Sequence, residues 1–284
     1  MLAEAVAVLA LAAPGADAYA FAVSVARGGS RPAGSAAERR AHERMARRFR
    51  GAGLRVRVQR FSTPRGRSRN VIGIRSHPPT PDRPRRCVRV LMAHADSMPA
   101  GPGALDNASG LGVLAALAPR LDAIDPPCDV WLVATGAEER LYTGSPDHLG
   151  ALALTRIVPR RRVRVALSLD EVGRGRRLLL RSPAPYARPR LERELLTAAR
   201  SRGIRMGWRR DDGTGNSDHR EFELAGMPAI KLGVVDNRCR HLACDRAGRL
   251  HRSAFARAQR VVEATLVSGA GSTRPARARR PPGR

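Results

Sequence analysis

Four short apolar runs constrain the fold of this chain more than any other feature. They are "CVRVLMA" from Cys87, "DVWLVAT" from Asp129, "VRVALSL" from Val163 and "PAIKLGV" from Pro228. Each is continuous rather than alternating. A strand with one wet face alternates polar and apolar residues, whereas a strand covered on both faces reads as an unbroken apolar run. Helical stretches separate the runs, near residues 107–118, 144–156, 188–202 and 217–225. That alternation predicts an α/β fold: one domain with a mostly parallel, mixed central sheet and helices on both faces.

The flanking segments fit this plan. In "GSAAERRAHERMARRFRGAG", Ser35 and Glu38 have the spacing of a capping box. Ala41, Met45 and Phe49 fall on one helical face, and Gly51 or Gly53 ends the helix. "LRVRVQRF" alternates and reads as an edge or half-exposed strand, and "NVIGI" as a further strand. "SHPPTPDRPRR" is a Pro-rich loop, and a last helix spans roughly 250–268. The expected organisation is a leader over residues 1–20, a folded domain over 21–268 and a basic, disordered tail over 269–284.

The leader rests on an apolar stretch from Ala5 to Ala13 followed by "ADAYA", which resembles a secretory signal with an A-x-A cleavage site. Glu4 stands where such signals carry positive charge, and the competing reading is an ordinary N-terminal helix. Cysteine usage favours export, to a secreted or cell-envelope location. The four cysteines are compatible with two disulfides. Cys87 and Cys128 each begin a strand and would pair if those strands are neighbours. Cys239 and Cys244 bracket "CRHLAC", whose spacing matches no common structural zinc motif. Four buried free thiols are the remaining alternative.

The formal charge of +27 points at first to nucleic acid or an anionic surface. Nearly all of it is arginine, with Lys231 the only lysine, and the arginines are scattered through strands, helices and loops. Only 4% of residues are aromatic, which leaves little to stack on bases. No specific nucleic-acid partner is expected. No internal segment has the length and apolarity of a membrane span.

Open α/β sheets bind ligands at the carboxyl ends of their strands. Here those ends are polar in a consistent way. The first run ends in His94 and Asp96, the second in Glu138 and Glu139, the third in Asp170 and Glu171. A loop after the fourth carries His241 and Asp245, and Asp106 opens the helix after the first. Gathering these carboxylates without a counter-ion is costly. One or two divalent metals are the natural counter-ions, and a set of His, Asp and Glu suits zinc, with cobalt or manganese as alternatives.

In their order, "AHADSMPAGPGALDNASG", "TGAEERLYTGS", "SLDEVG", "SDHREFELAGMPAI" and "RHLACD" resemble the co-catalytic zinc aminopeptidase family. That family includes secreted bacterial aminopeptidases, aminopeptidase Y, glutamate carboxypeptidases and glutaminyl cyclases. The likeness covers roughly residues 22–268. It implies two zinc ions per chain, with Asp106 bridging them, His94 and Asp170 completing one site and Glu139 and His241 the other. It implies Glu138 as general base, and Asp96 as the carboxylate that orients the His94 imidazole. The implied activity is exopeptidase hydrolysis: a metal-bridged water attacks the first peptide bond of a peptide or protein N-terminus, and Glu138 shuttles the proton. A monomer is expected, and the composition predicts no stable membrane span. Two departures from the family pattern are Leu105 before the bridging aspartate and Glu171 after Asp170. The alternatives are a glutaminyl-cyclase-like or carboxypeptidase-like relative, and an inactive binding protein on the same fold. Glutaminyl cyclases work with one zinc, whereas all five ligand positions are filled here.

Other polar residues have plainer expectations. Consecutive Ser217, Asp218 and His219 cannot form a hydrogen-bonded catalytic relay, which needs groups from separate segments. Ser217 reads as a helix cap, with Asp218 and His219 near the site rim. His42 and His251 are expected to be solvated, and His148 has no usable metal spacing. Trp131 is expected in the core, and Trp208 in the core or a loop or against a substrate pocket. The Arg160–Arg162 run is expected to be solvated.

Overall fold

The four apolar runs become four adjacent parallel strands. The protein is described here by a computed structural model covering residues 14–76, 87–140, 144, 147–211, 213–234 and 237–268. The strands are β1 (Arg55–Thr63), β2 (Gly66–Arg75), β3 (Val88–His94), β4 (Asp129–Thr135), β5 (Val163–Leu169), β6 (Leu179–Pro183), β7 (Gly207–Asp211) and β8 (Ala229–Gly233). They form one eight-stranded sheet in the order β1-β2-β4-β3-β5-β8-β6-β7. β3 pairs in parallel with β4 and β5, and β5 with β8. The joins β1/β2, β2/β4 and β6/β8 are antiparallel, so the sheet is mixed with a parallel centre. Every residue of β3, β4 and β8 is buried, as their unbroken apolar sequences require.

The helices are α1 (Ala16–Ala26), α2 (Ala36–Gly51), α3 (Ser109–Leu117), α4 (Leu121–Ile124), α5 (Leu149–Thr155), α6 (Pro189–Ser201), α7 (His219–Leu224) and α8 (Arg252–Val267). A π-helical turn, Ala104–Ala108, leads into α3. On one face of the sheet, Ala22 of α1, Phe49 of α2, Leu114 of α3, Leu195 of α6 and Phe255 of α8 share one apolar cluster. On the other, Leu154 of α5 and Phe222 of α7 pack with Met92 and Trp131. The α/β fold with helices on both faces is as expected. The Ser35 hydroxyl accepts the Glu38 N–H at 3.1 Å, while the Glu38 carboxylate reaches back one residue further than a simple capping box, to Gly34 N at 2.7 Å.

Several expectations need revision. The division between residues 20 and 21 falls inside α1, whose Ala18 and Ala22 are fully buried. α1 lies so close to α3 that a Cβ on Gly112 would collide with the Ala18 carbonyl. Residues 16–20 therefore pack against the rest of the domain as the first turns of α1. Residues 1–13, the tail over 269–284 and most of the Pro-rich loop lie outside the described residues. β6 and β7 had no sequence signal, because "RRLLLRSP" and "MGWRRD" are short and charged, as suits strands at and beside a sheet edge. Trp208 sits on edge strand β7, 44% exposed, with the Arg210 guanidinium 5.0 Å above its ring, away from core and cleft alike. His42 is buried rather than solvated, its Nε2 3.3 Å from the Thr135 carbonyl. Trp131 is core.

Both cysteine pairs are disulfides. Cys87–Cys128 ties the starts of neighbouring strands β3 and β4, and Cys239–Cys244 closes the short loop around His241. No helix among the described residues is long and apolar enough to cross a membrane.

Candidate metal centre

Parallel pairing puts the carboxyl ends of β4, β3, β5 and β8 at one edge, and the expected acidic and imidazole groups arrive there from several separate segments. His94 is the last residue of β3. Its Nδ1 lies 3.2 Å from the Asp96 carbonyl oxygen, which can only accept, so Nδ1 carries a proton and Nε2 is turned toward Asp106 and Asp170. The twelve-residue path from His94 to Asp106 is stapled by Arg31. This arginine is 2% exposed; its Nε donates to the Ala95 carbonyl at 2.8 Å and an Nη to the Gly103 carbonyl at 3.1 Å. Asp106 is then aimed from behind: the Asp245 carboxylate accepts the backbone N–H groups of Leu105 and Asp106 at 2.8 and 3.0 Å. Gly110, the second residue of α3, lets the helix press onto β5, since a Cβ there would collide with the Leu169 carbonyl.

Glu138 and Glu139 follow β4 in a turn pinned by Asp96. One oxygen of the Asp96 carboxylate accepts Glu138 N–H at 3.1 Å and the other accepts Glu139 N–H at 3.0 Å. Asp96 was expected to orient His94 through its carboxylate. That carboxylate lies 3.7 Å from Nδ1, and the closer contact comes from its backbone carbonyl. Its stronger duty is to the two glutamates. Asp170 follows β5, and Lys231 from β8 places Nζ 2.6 Å from Asp170 Oδ2. His241 stands with φ +62° in the disulfide-closed loop. That loop is tied back by Glu171, which accepts from Asn237 Nδ2 at 2.7 Å and from Arg240 Nε at 3.0 Å. The extra acid after Asp170 thus anchors the His241 loop rather than adding bare charge.

The separations have a definite scale. His94 Nε2 is 3.1 Å from Asp106 Oδ1 and 3.5 Å from Asp170 Oδ1. His241 Nε2 is 3.4 Å from Asp106 Oδ2 and 3.0 Å from Glu139 Oε2. Two donors bound at roughly 2.0–2.2 Å to one tetrahedral ion lie about 3.3–3.6 Å apart, close to these spacings. Asp106 offers one oxygen to each histidine. His94 Nε2, Glu139 Oε1 and Asp170 Oδ1 are buried and have no hydrogen-bond partner among the described residues. Buried polar atoms left unpaired are costly. Their convergence, with the chemistry of the donors, fits one or two divalent cations. Among the described residues, the groups whose donor atoms converge closely enough to hold an ion are His94, Asp106 and Glu139, and His94, Glu138 and Asp170.

The protonation states show what such an ion would replace. Burial pushes Glu138 well above the usual carboxylate range, with Asp170, Glu139 and Asp218 adding repulsion. Burial likewise raises Glu139, to about 7. Burial opposes charge on His94, but Glu138, Asp106 and Asp170 outweigh it and hold its pKa well above the ordinary value. Hydrogen bonds to Asp106 and Glu139 lift His241 to about 10. Burial would raise Asp106, yet the two histidines hold it at about 2. Without metal, protons on the two imidazoles serve as the counter-charge, and cation binding would displace them.

A cleft of about 190 Å³ opens on this group, lined by Glu138, Glu139, Arg140, His148, Asn216 and His241 among others. His148 is a participant that sequence reasoning missed. It is buried at the start of α5, Nε2 3.7 Å from Glu138 Oε1 and Nδ1 3.0 Å from Glu221 Oε1. Asp218 and His219 are fully buried rather than at the rim; Asp218 accepts from the Thr135 hydroxyl at 2.6 Å. Ser217 does not cap α7 but shares a 2.8 Å hydrogen bond with Ser168. Lys231 also went unassigned, although its uniqueness among 52 basic residues was a signal.

Comparison with known proteins agrees with the fold. The structure of a zinc aminopeptidase from Bacillus subtilis superposes with a TM-score of 0.77, covering 90% of this chain and 95% of that one at 18% identity. An aminopeptidase from Aneurinibacillus sp. strain AM-1 gives 0.78 at 15% identity, covering 89% and 93%. Bacteroides thetaiotaomicron glutaminyl cyclase gives 0.73 at 19% identity, covering 89% and 97%. In sequence, a 111-residue segment is 34% identical to aminopeptidase YwaD of Bacillus subtilis (strain 168), covering 37% of this chain and only 22% of that protein. The model of the family described as Peptidase family M28 matches residues 70–266, more than half of the chain, so the chain belongs to peptidase family M28.

Proposed function

We propose that this protein is a zinc-dependent aminopeptidase, and that His94, Asp106, Glu139, Asp170 and His241 are its metal ligands. The observation that carries the proposal is Asp106, whose two oxygens face two different imidazoles, each paired with a further carboxylate. Zinc ions in the two halves would polarise an amide carbonyl and lower the pKa of a water toward neutrality.

The remaining steps belong to the chain. Glu138 is the general base: it is buried at the cleft wall, its two oxygens 4.0 Å from His94 Nε2 and 3.7 Å from His148 Nε2. It takes the proton from the attacking water and returns it to the departing amine nitrogen, so one carboxyl serves both steps. His148, held by Glu221, limits the positions open to the Glu138 carboxyl. The acidic wall formed by Asp106 and Glu139 suits a free α-amino group, which favours removal of N-terminal residues over internal cleavage. The two disulfides support an oxidising, extracytoplasmic location.

A second reading, glutaminyl cyclase, is favoured by the fold likeness to such an enzyme. One experiment separates the two. Purified protein is offered a panel of aminoacyl-arylamides and an N-terminal glutaminyl peptide, with and without chelator, beside zinc analysis. An aminopeptidase releases arylamine in a chelator-sensitive way. Ammonia release from the glutaminyl peptide alone supports cyclisation. Inactivity with bound zinc supports a binding role.

A further inference from the structure

A second cavity, of about 200 Å³, lies between α2 and the β1–β2 hairpin at the outer edge of the sheet. Ala46, Val58 and Val71 give it an apolar wall. Arg47 and Arg50 from α2 and Arg69 from β2 give it a cationic rim. The strand register adds a fourth arginine to the same face. Val58 pairs with Val71 and Arg60 with Arg69, and residues two apart along a strand share a face. Arg60 and Arg69 are thus directly opposite each other, an arrangement that destabilises a strand pair.

No acid compensates these charges. Among the described residues, none of Arg47, Arg50, Arg60 and Arg69 has an ion pair. Glu43 is the one carboxylate on the lining among the described residues, and its ion pair, at 3.9 Å, is with Arg39. His42 also lines the cavity, but it is neutral: burial lowers its pKa to about 4, with the Arg69 charge adding to the effect. Its Nε2 is engaged by the Thr135 carbonyl at 3.3 Å. Positive charge from two elements therefore converges on one space that also has an apolar side.

A guanidinium presents parallel N–H donors that match the oxygens of a carboxylate or a phosphate. A carboxylate carries one charge and is satisfied by one such fork. A phosphate monoester carries about 1.5–2 negative charges and three acceptor oxygens in a single group, which suits arginines arriving from both sides. The cavity is more than tenfold larger than the roughly 10–15 Å³ that admits one water, so it has room for an organic part beside the anionic head.

We infer that this groove is a second binding site, and that its ligand is a small organic phosphate monoester, with the phosphate held by Arg47, Arg50 and Arg69 and the apolar part laid against Ala46, Val58 and Val71. No proposed metal ligand lines the groove, so the site stands apart from the reading of the metal centre.

The test is calorimetric titration of the full, zinc-loaded chain with phenyl phosphate, inorganic phosphate and phenol. Phenyl phosphate should occupy one site per chain with a dissociation constant below about 1 mM, while phenol should give no saturable binding. Inorganic phosphate should bind at least about threefold more weakly, because it leaves the apolar wall uncovered. Arg69→Gln should weaken phenyl phosphate by about tenfold or more, and so should the double variant Arg47→Gln, Arg50→Gln. Both α2 arginines are exposed, so the double variant keeps the test open should Arg69→Gln misfold. Arg209→Gln, on the opposite edge strand, should leave the affinity unchanged. Removal of zinc by a chelator should also leave it unchanged. Binding that disappears with the metal, or that persists in both groove variants, would place the anion elsewhere and overturn the inference. Equal affinity for the two phosphates would overturn the organic ligand class, and no saturable binding up to about 10 mM would overturn the site itself.

Discussion

Replacing Asp96 by asparagine probes the architecture most directly, because the change keeps the shape and removes one acceptor. In the native protein both carboxylate oxygens are in use, one on Glu138 N–H and one on Glu139 N–H. Asp96 is fully buried, so no water replaces a lost partner. An asparagine presents one oxygen and one NH2, and the NH2 must face a backbone donor. The loss is one charge-assisted hydrogen bond, about 1.5–3 kcal/mol, plus an unpaired buried N–H, about 1–3 kcal/mol. Removing the charge also relieves repulsion that Asp96 exerts on Glu139 and Asp218. The net cost to the metal-free protein should therefore be about 2–4 kcal/mol. Urea unfolding of metal-free wild type and variant, compared by linear extrapolation, measures it. Because the two glutamates lose their common anchor, zinc affinity should also fall about 10–100-fold, the usual range for a residue behind a metal ligand. A stability loss below about 1 kcal/mol together with unchanged zinc affinity would show that Asp96 does not hold the glutamate turn.

Three further outcomes follow from the same geometry. Glu138→Gln should retain zinc while arylamide turnover falls by about 10²–10⁴-fold; substantial activity in this variant would take the base role away from Glu138. Zinc affinity should rise with pH, because His241 stays protonated up to about 10 and Glu139 up to about 7 in the metal-free protein, and zinc must displace both protons. Chelator-buffered titrations from pH 6 to pH 8 should give a steeper slope below 7 than above it, and a flat profile would contradict proton displacement. Gly110→Ala should destabilise the fold by about 1–3 kcal/mol, since the new methyl meets the Leu169 carbonyl and forces α3 off β5; a thermal midpoint equal to wild type would show that the helix has room.

Much of the fold was legible because it rests on local pattern. An unbroken apolar run between helices identifies a doubly covered strand, and four such runs predict a parallel centre whose carboxyl ends share one edge. That pattern brings His94, Asp96, Asp106, Glu138, Glu139, Asp170, Glu171, His241 and Asp245 to one edge, and the family resemblance is what narrows them to six. Edge strands were harder. β7, with Trp208 exposed and Arg209 and Arg210 beside it, carries no apolar signature because an edge strand needs little burial.

What the sequence alone determined, then, is which residue types stand at which strand ends, and hence the class of chemistry available there. What only the tertiary structure decided is the hardware that aims them. Asp245 grips the Asp106 backbone across 139 residues, Arg31 staples the loop over 72, and Lys231 meets Asp170 over 61. His148, which has no usable metal spacing in the sequence, stands with Nε2 3.7 Å from Glu138, and α1 packs into the core. These pairings join segments that no periodicity relates. They exist because the backbone brings buried donors and acceptors together where water cannot satisfy them, a condition set by packing in three dimensions and not by spacing along the chain.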